Sequence, residues 1–74
     1  HHVQKPLFMI NYIMEITPNV PGIGLKTFKL HYPDESTAKT CFYETILQLR
    51  WAKSGKLYSV TKDGQRTLIC TRYH

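Results

Sequence analysis

Residues 33–55 decide the fold: they read PDESTAKTCFYETILQLRWAKSG and predict one helix between two β-rich parts of the chain. Asp34 and Glu35 suit the positive end of a helix dipole, and either Asp34 or Ser36 can cap the first turn. At 100° per residue, one helix face collects Ala38, Cys41, Phe42, Thr45, Ile46, Leu49 and Ala52. Gly55 suits a left-handed cap, so we expect the helix to end at Ser54-Gly55.

Two β-rich runs precede this helix. Residues 7–16 place Ile10, Tyr12, Met14 and Ile16 on one side of a two-residue alternation. Residues 17–24 hold two prolines and two glycines, which is typical of a loop. Residues 25–32 alternate again, so we expect a second strand antiparallel to the first.

Two further β-rich runs follow the helix, over residues 56–62 and 65–73, and Asp63-Gly64 joins them. Asp-Gly between such runs is a strong hairpin signal and favours a two-residue type I′ turn. In that register we expect Leu57, Leu68 and Cys70 to face the helix, where the small Ser59 leaves room for it. The outer face would then hold Tyr58, Val60, Ile69 and Tyr73, beside Lys62.

These elements predict an α+β fold, in which an antiparallel sheet of four strands packs on a single α-helix, with the sequence order β-β-α-β-β. Residues 9–74 are expected to form one compact domain, since 74 residues build only one small core. Residues 1–8 begin with His1-His2 and are interpreted as a tag remnant or a flexible N-terminus. No apolar run approaches a membrane span, and we expect no membrane partner.

The positive charge is concentrated in the last third of the chain. The formal net charge is +5, and the residues before Arg50 contribute none of it. The basic residues from there onward, against Asp63 alone, are Arg50, Lys53, Lys56, Lys62, Arg66 and Arg72. Such asymmetry indicates an anionic partner, such as nucleic acid, a membrane surface or an acidic protein. The alternative is a solvated basic face that keeps a small protein soluble.

Large apolar side chains are predicted on two surfaces that one helix cannot cover. Tyr43, Leu47 and Trp51 repeat every four residues opposite the core face, which favours an interface with a second copy or another protein. The alternative is that the N-terminal segment or the Pro/Gly loop covers them. On the outer sheet face, Tyr58 and Tyr73 could stack bases or enter a dimer. Monomer and homodimer both remain open.

Signals of catalysis are nearly absent. The acids are few, and no pair has a spacing that suggests general acid and base catalysis. No metal-binding spacing is found, so we expect no cofactor and no enzymatic activity. Cys41 and Cys70 are predicted to be free thiols in a reducing cytosol, which favours a cytoplasmic location.

Three short segments resemble a known family. They are Tyr12-Ile13 in the first strand, Ser36-Thr37-Ala38-Lys39 at the helix start, and Gly55-x7-Asp63-Gly64-x-Arg66-x3-Cys70 across the hairpin. Together with the element order, they are similar to the small phage-encoded anti-CRISPR proteins that act on type I-F interference complexes.

This resemblance implies a non-enzymatic inhibitor in the host cytoplasm that binds a CRISPR surveillance complex and blocks target nucleic-acid binding. It assigns partner contacts to Lys62 and Arg66 in the hairpin and to Lys39 at the helix start. Lys56 and Arg50 join them as candidates because they belong to the basic third of the chain. The second hypothesis is a small DNA- or RNA-binding module with a basic, aromatic sheet face, and the third is a dimeric interaction protein.

Overall fold

A computed structural model describes residues 9–74, and the interpretation of residues 1–8 lies outside them. The chain forms β1, β2, α1, β3 and β4 in that order, and the predicted α+β class is confirmed. The elements span Ile10–Pro18 (β1), Lys26–Tyr32 (β2), Glu35–Gln48 (α1), Ala52–Val60 (β3) and Arg66–Tyr73 (β4).

The strands form one sheet in the order β2-β1-β3-β4, and every neighbouring pair is antiparallel. Because β2 and β3 are both antiparallel to β1, they run parallel to each other. A parallel pair needs a long crossover connection, and α1 supplies it by passing over β1. The central strands are therefore β1 and β3, while β2 and β4 form the edges.

The core lies between α1 and one face of the sheet. Among the described residues, it consists of apolar side chains that β1, α1 and β3 contribute, with Tyr32, Leu49, Ile69 and Cys70 among those packed at its margin. Its buried members are Tyr12, Met14, Ile16, Ala38, Phe42, Ile46, Ala52 and Leu57. Alternation along β1 and the helical period along α1 therefore bring together the residues that the sequence predicted to be inside.

The helix begins where the sequence predicts. Asp34 has extended backbone angles, and its carboxylate accepts a hydrogen bond of 2.7 Å from the backbone N–H of Thr37. This bond lowers the pKa of Asp34, because it favours the charged carboxylate. Glu35 and Lys39 form an ion pair of 3.3 Å across the first turn.

The predicted helix end at Ser54-Gly55 is wrong. The helix ends at Gln48, Leu49 is extended, and Ala52 already belongs to β3. A Cβ atom on Gly55 would lie 2.5 Å from Cδ1 of Ile46. The glycine therefore allows α1 to approach β3 closely and does not cap the helix. Ser59, which we expected to leave room for the helix, also lies on the helix side of the sheet and pairs with Tyr12.

The hairpin turn also differs from the prediction. The N–H of Thr61 donates to the carbonyl of Gln65 at 3.0 Å, so the loop has three residues, Lys62-Asp63-Gly64. Gly64 has a φ of 88°, whereas Asp63 does not have the positive φ that a type I′ turn requires. A three-residue loop with glycine in the left-handed position explains both observations.

The three-residue loop shifts the register of β4 by one residue, and a bulge corrects the shift farther along. Tyr58 pairs with Leu68 and Leu57 pairs with Cys70, which leaves Ile69 as the additional residue. Leu68 therefore lies opposite the helix side and is 51% exposed, while Ile69 packs against the core. The predicted orientations of Leu68 and Ile69 are reversed for this reason, whereas those of Leu57 and Cys70 are confirmed.

Candidate functional site

Within residues 9–74, no helix packs on one face of the sheet, and we call this the helix-free face. Alternation from the buried residues of each strand defines its members. They include Asn11, Ile13, Glu15, Lys29, His31, Lys56, Tyr58, Val60, Arg66, Leu68, Thr71 and Tyr73. A sheet with one uncovered face normally makes that face polar. Here it mixes cations with apolar and aromatic side chains.

A polar network links three strands on the helix-free face. The guanidinium of Arg66 donates to Oε2 of Glu15 at 2.9 Å, and the hydroxyl of Tyr58 donates to Oε1 of the same carboxylate at 3.3 Å. The Arg66 guanidinium also lies 5.6 Å from the centre of the Tyr58 ring, which is a cation–π distance. Arg66 is therefore held by Glu15 and Tyr58, which orders this part of the face before any partner binds.

A shallow groove of about 220 Å³ lies on the β2 side of this network. Asn11, Lys29, His31 and Val60 are among its lining residues, together with Ile13. Ile13 is only 9% exposed, although it lies on the helix-free face. The groove thus combines an apolar floor with an ammonium group and an imidazole, a combination that suits anionic groups on an extended partner.

The five predicted partner-binding cations do not form one patch. Lys56 and Arg66 belong to the helix-free face, and Lys62 is exposed in the hairpin loop. Lys39 lies on α1 and pairs with a carboxylate of the same helix, while Arg50 is exposed in the turn between α1 and β3. The helix-free face therefore holds Lys56 and Arg66, while Lys62, Lys39 and Arg50 lie outside it.

The five predicted apolar interface residues are also divided. Tyr43 packs against the core, and the Arg72 guanidinium lies 4.7 Å from its ring centre. Leu47 is 66% exposed on α1, but Trp51 follows the helix end, so the predicted helical stripe of three residues does not exist. The other two predicted residues, Tyr58 and Tyr73, lie on the helix-free face, as the sequence predicted.

Lys29 and His31 are among the site residues that sequence reasoning did not select. The alternation of β2 already placed them opposite Phe28, Leu30 and Tyr32, so the signal was present. What was missing was the strand order. Only the position of β2 beside β1 brings both residues next to Ile13 and Asn11.

The described residues offer binding groups more than reactive ones. No group of three metal-ligating side chains occurs in residues 9–74, and both cysteines are free thiols. The pKa of Tyr12 is raised, mainly because burial disfavours the phenolate, and this side chain belongs to the helix-covered face. None of the helices formed by residues 9–74 has the length and apolar character to cross a membrane.

Comparisons with known proteins find no protein family, no curated relative and no solved structure that matches this chain. The face must therefore be interpreted from its own chemistry.

Proposed function

We propose that this protein is a non-enzymatic binding domain and that its helix-free face contacts an anionic partner. The observation that carries the proposal is the distribution of charge on this face. Three cations lie there, namely Lys29, Lys56 and Arg66. Among the described residues the face holds one carboxylate, Glu15, which is already paired with Arg66. Two ammonium groups and the adjacent His31 therefore remain available, and such a surface attracts anions.

In its specific form, the partner is a host CRISPR surveillance complex, and the protein is a phage or mobile-element inhibitor acting in the host cytoplasm. The resemblance of the helix start and hairpin to type I-F anti-CRISPR proteins suggests this partner. The charge of the helix-free face supports the mechanism, because Lys56 and the exposed Lys62 could occupy a surface that otherwise holds nucleic-acid phosphates. Arg66 contributes by ordering the face through Glu15.

A second candidate function is direct binding of single-stranded nucleic acid. The observation in its favour is that Tyr73, which is 74% exposed, shares the helix-free face with Lys56 and Lys29. Exposed aromatic rings stack on bases, and nearby cations bind phosphates. The observation against it is that Arg66 lies over the ring of Tyr58, which leaves this tyrosine less available for stacking.

The test of the inhibitor is to add the purified chain to a type I-F surveillance complex and measure binding of target DNA by mobility shift. We expect co-elution with the complex and loss of DNA binding. Unimpaired DNA binding at saturating protein would contradict the specific form of the proposal. Titration of the chain alone with single-stranded DNA and RNA at low and high salt tests the second function, whose affinity must fall steeply with salt.

Single charge reversals provide matched variants for the binding face. Lys56→Glu and Lys62→Glu are expected to weaken partner binding, while Lys26→Glu changes the net charge equally on the helix-covered face and should not. Arg66 is unsuitable for this purpose, because its replacement also removes the partner of Glu15. Equal losses for all three variants would show that net charge matters and that the face does not.

A further inference from the structure

A second groove lies on the helix-covered side of the sheet, at the far end of the molecule from the hairpin loop. It encloses about 230 Å³ and is almost entirely apolar. Its lining residues are Pro18, Val20, Ile23, Lys26, Phe28 and Trp51, and we call it the Trp51 groove. Four of the apolar side chains are 37–48% exposed although they adjoin one another, namely Val20, Ile23, Phe28 and Trp51. Such a patch of adjoining apolar groups marks an interaction site more often than scattered ones do.

Two hydrogen bonds from Asn19 hold the two walls of the Trp51 groove together. The N–H of Asn19 donates to the carbonyl of Trp51 at 2.7 Å, and its side-chain amide donates to the carbonyl of Arg50 at 3.3 Å. These bonds tie the loop after β1 to the turn after α1. Gly22 gives this loop a left-handed position with a φ of 87°. The groove is thus formed before a ligand arrives, which reduces the entropic cost of binding.

The charged residues near the Trp51 groove are mostly cations. Lys26 lines the groove, and Arg50 and Lys53 are exposed on either side of Trp51 in the chain. The nearest acid on the helix is Glu44, one turn before the helix end.

The other acids lie elsewhere. Asp34 and Glu35 follow the end of β2 that pairs with Ile10, and Asp63 lies in the hairpin loop beyond Val60, which pairs with Asn11. Both positions are at the opposite end of the sheet. Glu15 is on the helix-free face and is paired with a cation there. Within residues 9–74, Lys26, Arg50 and Lys53 therefore stand near the groove without an ion-pair partner.

We propose that the Trp51 groove binds an acidic amphipathic peptide segment of a partner protein. One apolar side chain of the peptide fills the groove against Trp51, and carboxylates on either side of it meet Lys26 and Lys53. Charge complementarity selects this occupant, because a second copy of the chain would bring the same cations face to face. The groove is also smaller than the usual pockets for small molecules, which measure about 300–1,000 Å³. This surface is separate from the helix-free face and does not depend on the function proposed for it.

The experiment selects twelve-residue peptides from a random display library on the full chain. We expect the enriched peptides to carry an aromatic or aliphatic residue flanked by aspartate or glutamate. Trp51 is the single tryptophan of the sequence, so its fluorescence reports directly on the groove. Enriched peptides should shift its emission to shorter wavelength in a saturable manner, because an apolar side chain replaces water at the indole.

Matched variants locate the binding. Ile23→Asp introduces a carboxylate into the groove and should weaken peptide binding at least tenfold. Leu25→Asp makes the same kind of change at a 57% exposed side chain that does not line the groove, and it should have little effect. Lys26→Glu with Lys53→Glu should weaken binding roughly tenfold through loss of charge complementarity, whereas Lys62→Glu should not. Thermal unfolding confirms that each variant is folded.

Several results would overturn the proposal. The first is no enrichment of acidic apolar peptides, and the second is binding that Ile23→Asp leaves unchanged. Anionic phosphatidylglycerol vesicles that shift the Trp51 emission when no selected peptide does so would identify a lipid surface as the occupant. A dimeric mass in light scattering that Ile23→Asp converts to a monomeric one would identify a second copy.

Discussion

The two faces of the sheet are formed by the same four strands but differ in how their side chains interact. On the helix-covered face, Phe42 and Ile46 pack on Leu57 in a core without buried polar groups among the described residues. On the helix-free face, the links between strands are polar and run through Glu15. The comparison indicates that the helix-covered face supplies most of the stability, and our proposal assigns recognition to the helix-free face.

The largest expected effect comes from truncating the core. Phe42→Ala should lower the free energy of unfolding by about 3–5 kcal/mol, because it leaves a cavity under the helix. Leu68→Ala on the helix-free face removes a side chain that is 51% exposed and should cost about 1 kcal/mol or less. Urea denaturation measures both. Similar losses of unfolding free energy in the two variants would contradict the conclusion that the helix-covered face supplies most of the stability.

The close approach of helix and sheet gives the next effect. Gly55→Ala places a methyl group among Ile46, Ile16 and Phe42, all within 3.0 Å, and should lower the free energy of unfolding by about 1–3 kcal/mol. Gly24→Ala is the control, since a Cβ atom there meets nothing within 4 Å. A Gly55→Ala protein as stable as the wild type in urea would show that the helix can shift without cost.

The polar network on the helix-free face should contribute less. A double-mutant cycle of Glu15→Gln and Arg66→Gln should give a coupling of about 0.5–1 kcal/mol, because the Arg66 side chain is 43% exposed and solvent screens the pair. The coupling should decrease when the salt concentration rises. A coupling energy larger than the loss of unfolding free energy in Phe42→Ala would contradict the conclusion that the helix-covered face contributes most of the stability.

The smallest effect concerns the helix that covers one face, and it depends on pH. The pKa of Asp34 is lowered by its bond with Thr37, so its contribution to stability is present above the unfolded pKa of about 3.9 and is lost as pH falls through the lower folded pKa. Asp34→Ala should therefore reduce the Tm at pH 7, and the difference from the wild type should shrink at acidic pH. Asp34→Ser keeps a neutral cap and is the control. A difference in Tm that does not change with pH would exclude the charged cap as its cause.

Much of the fold could be predicted from short-range patterns. The capping Asp34, the apolar period of α1 and the alternation of β1 each depend on neighbours within a few residues. The helix end could not be predicted in this way, because residues 49–54 include good helix formers. Pairing of Ala52 with Pro18 and of Ser54 with Thr17 takes this segment into the sheet instead.

In the candidate sites, too, local patterns predicted some residues and could not predict contacts between distant segments. The outward positions of Tyr58 and Lys56 follow from alternation along one strand. The Trp51 groove could not be predicted, since it joins the loop after β1 to the turn after α1 through Asn19. Loop residues have no periodicity from which such a contact could be inferred.

The sequence by itself determined the kinds of element, their order and the core residues of β1 and most of those of α1, because capping, alternation and helical period are local. The tertiary structure alone decided the strand order β2-β1-β3-β4, the bulge that exchanges Leu68 and Ile69, and the role of Gly55. A glycine can end a helix or admit one against a strand. Which role it takes depends on the residues that lie across from it, and these are distant in the chain.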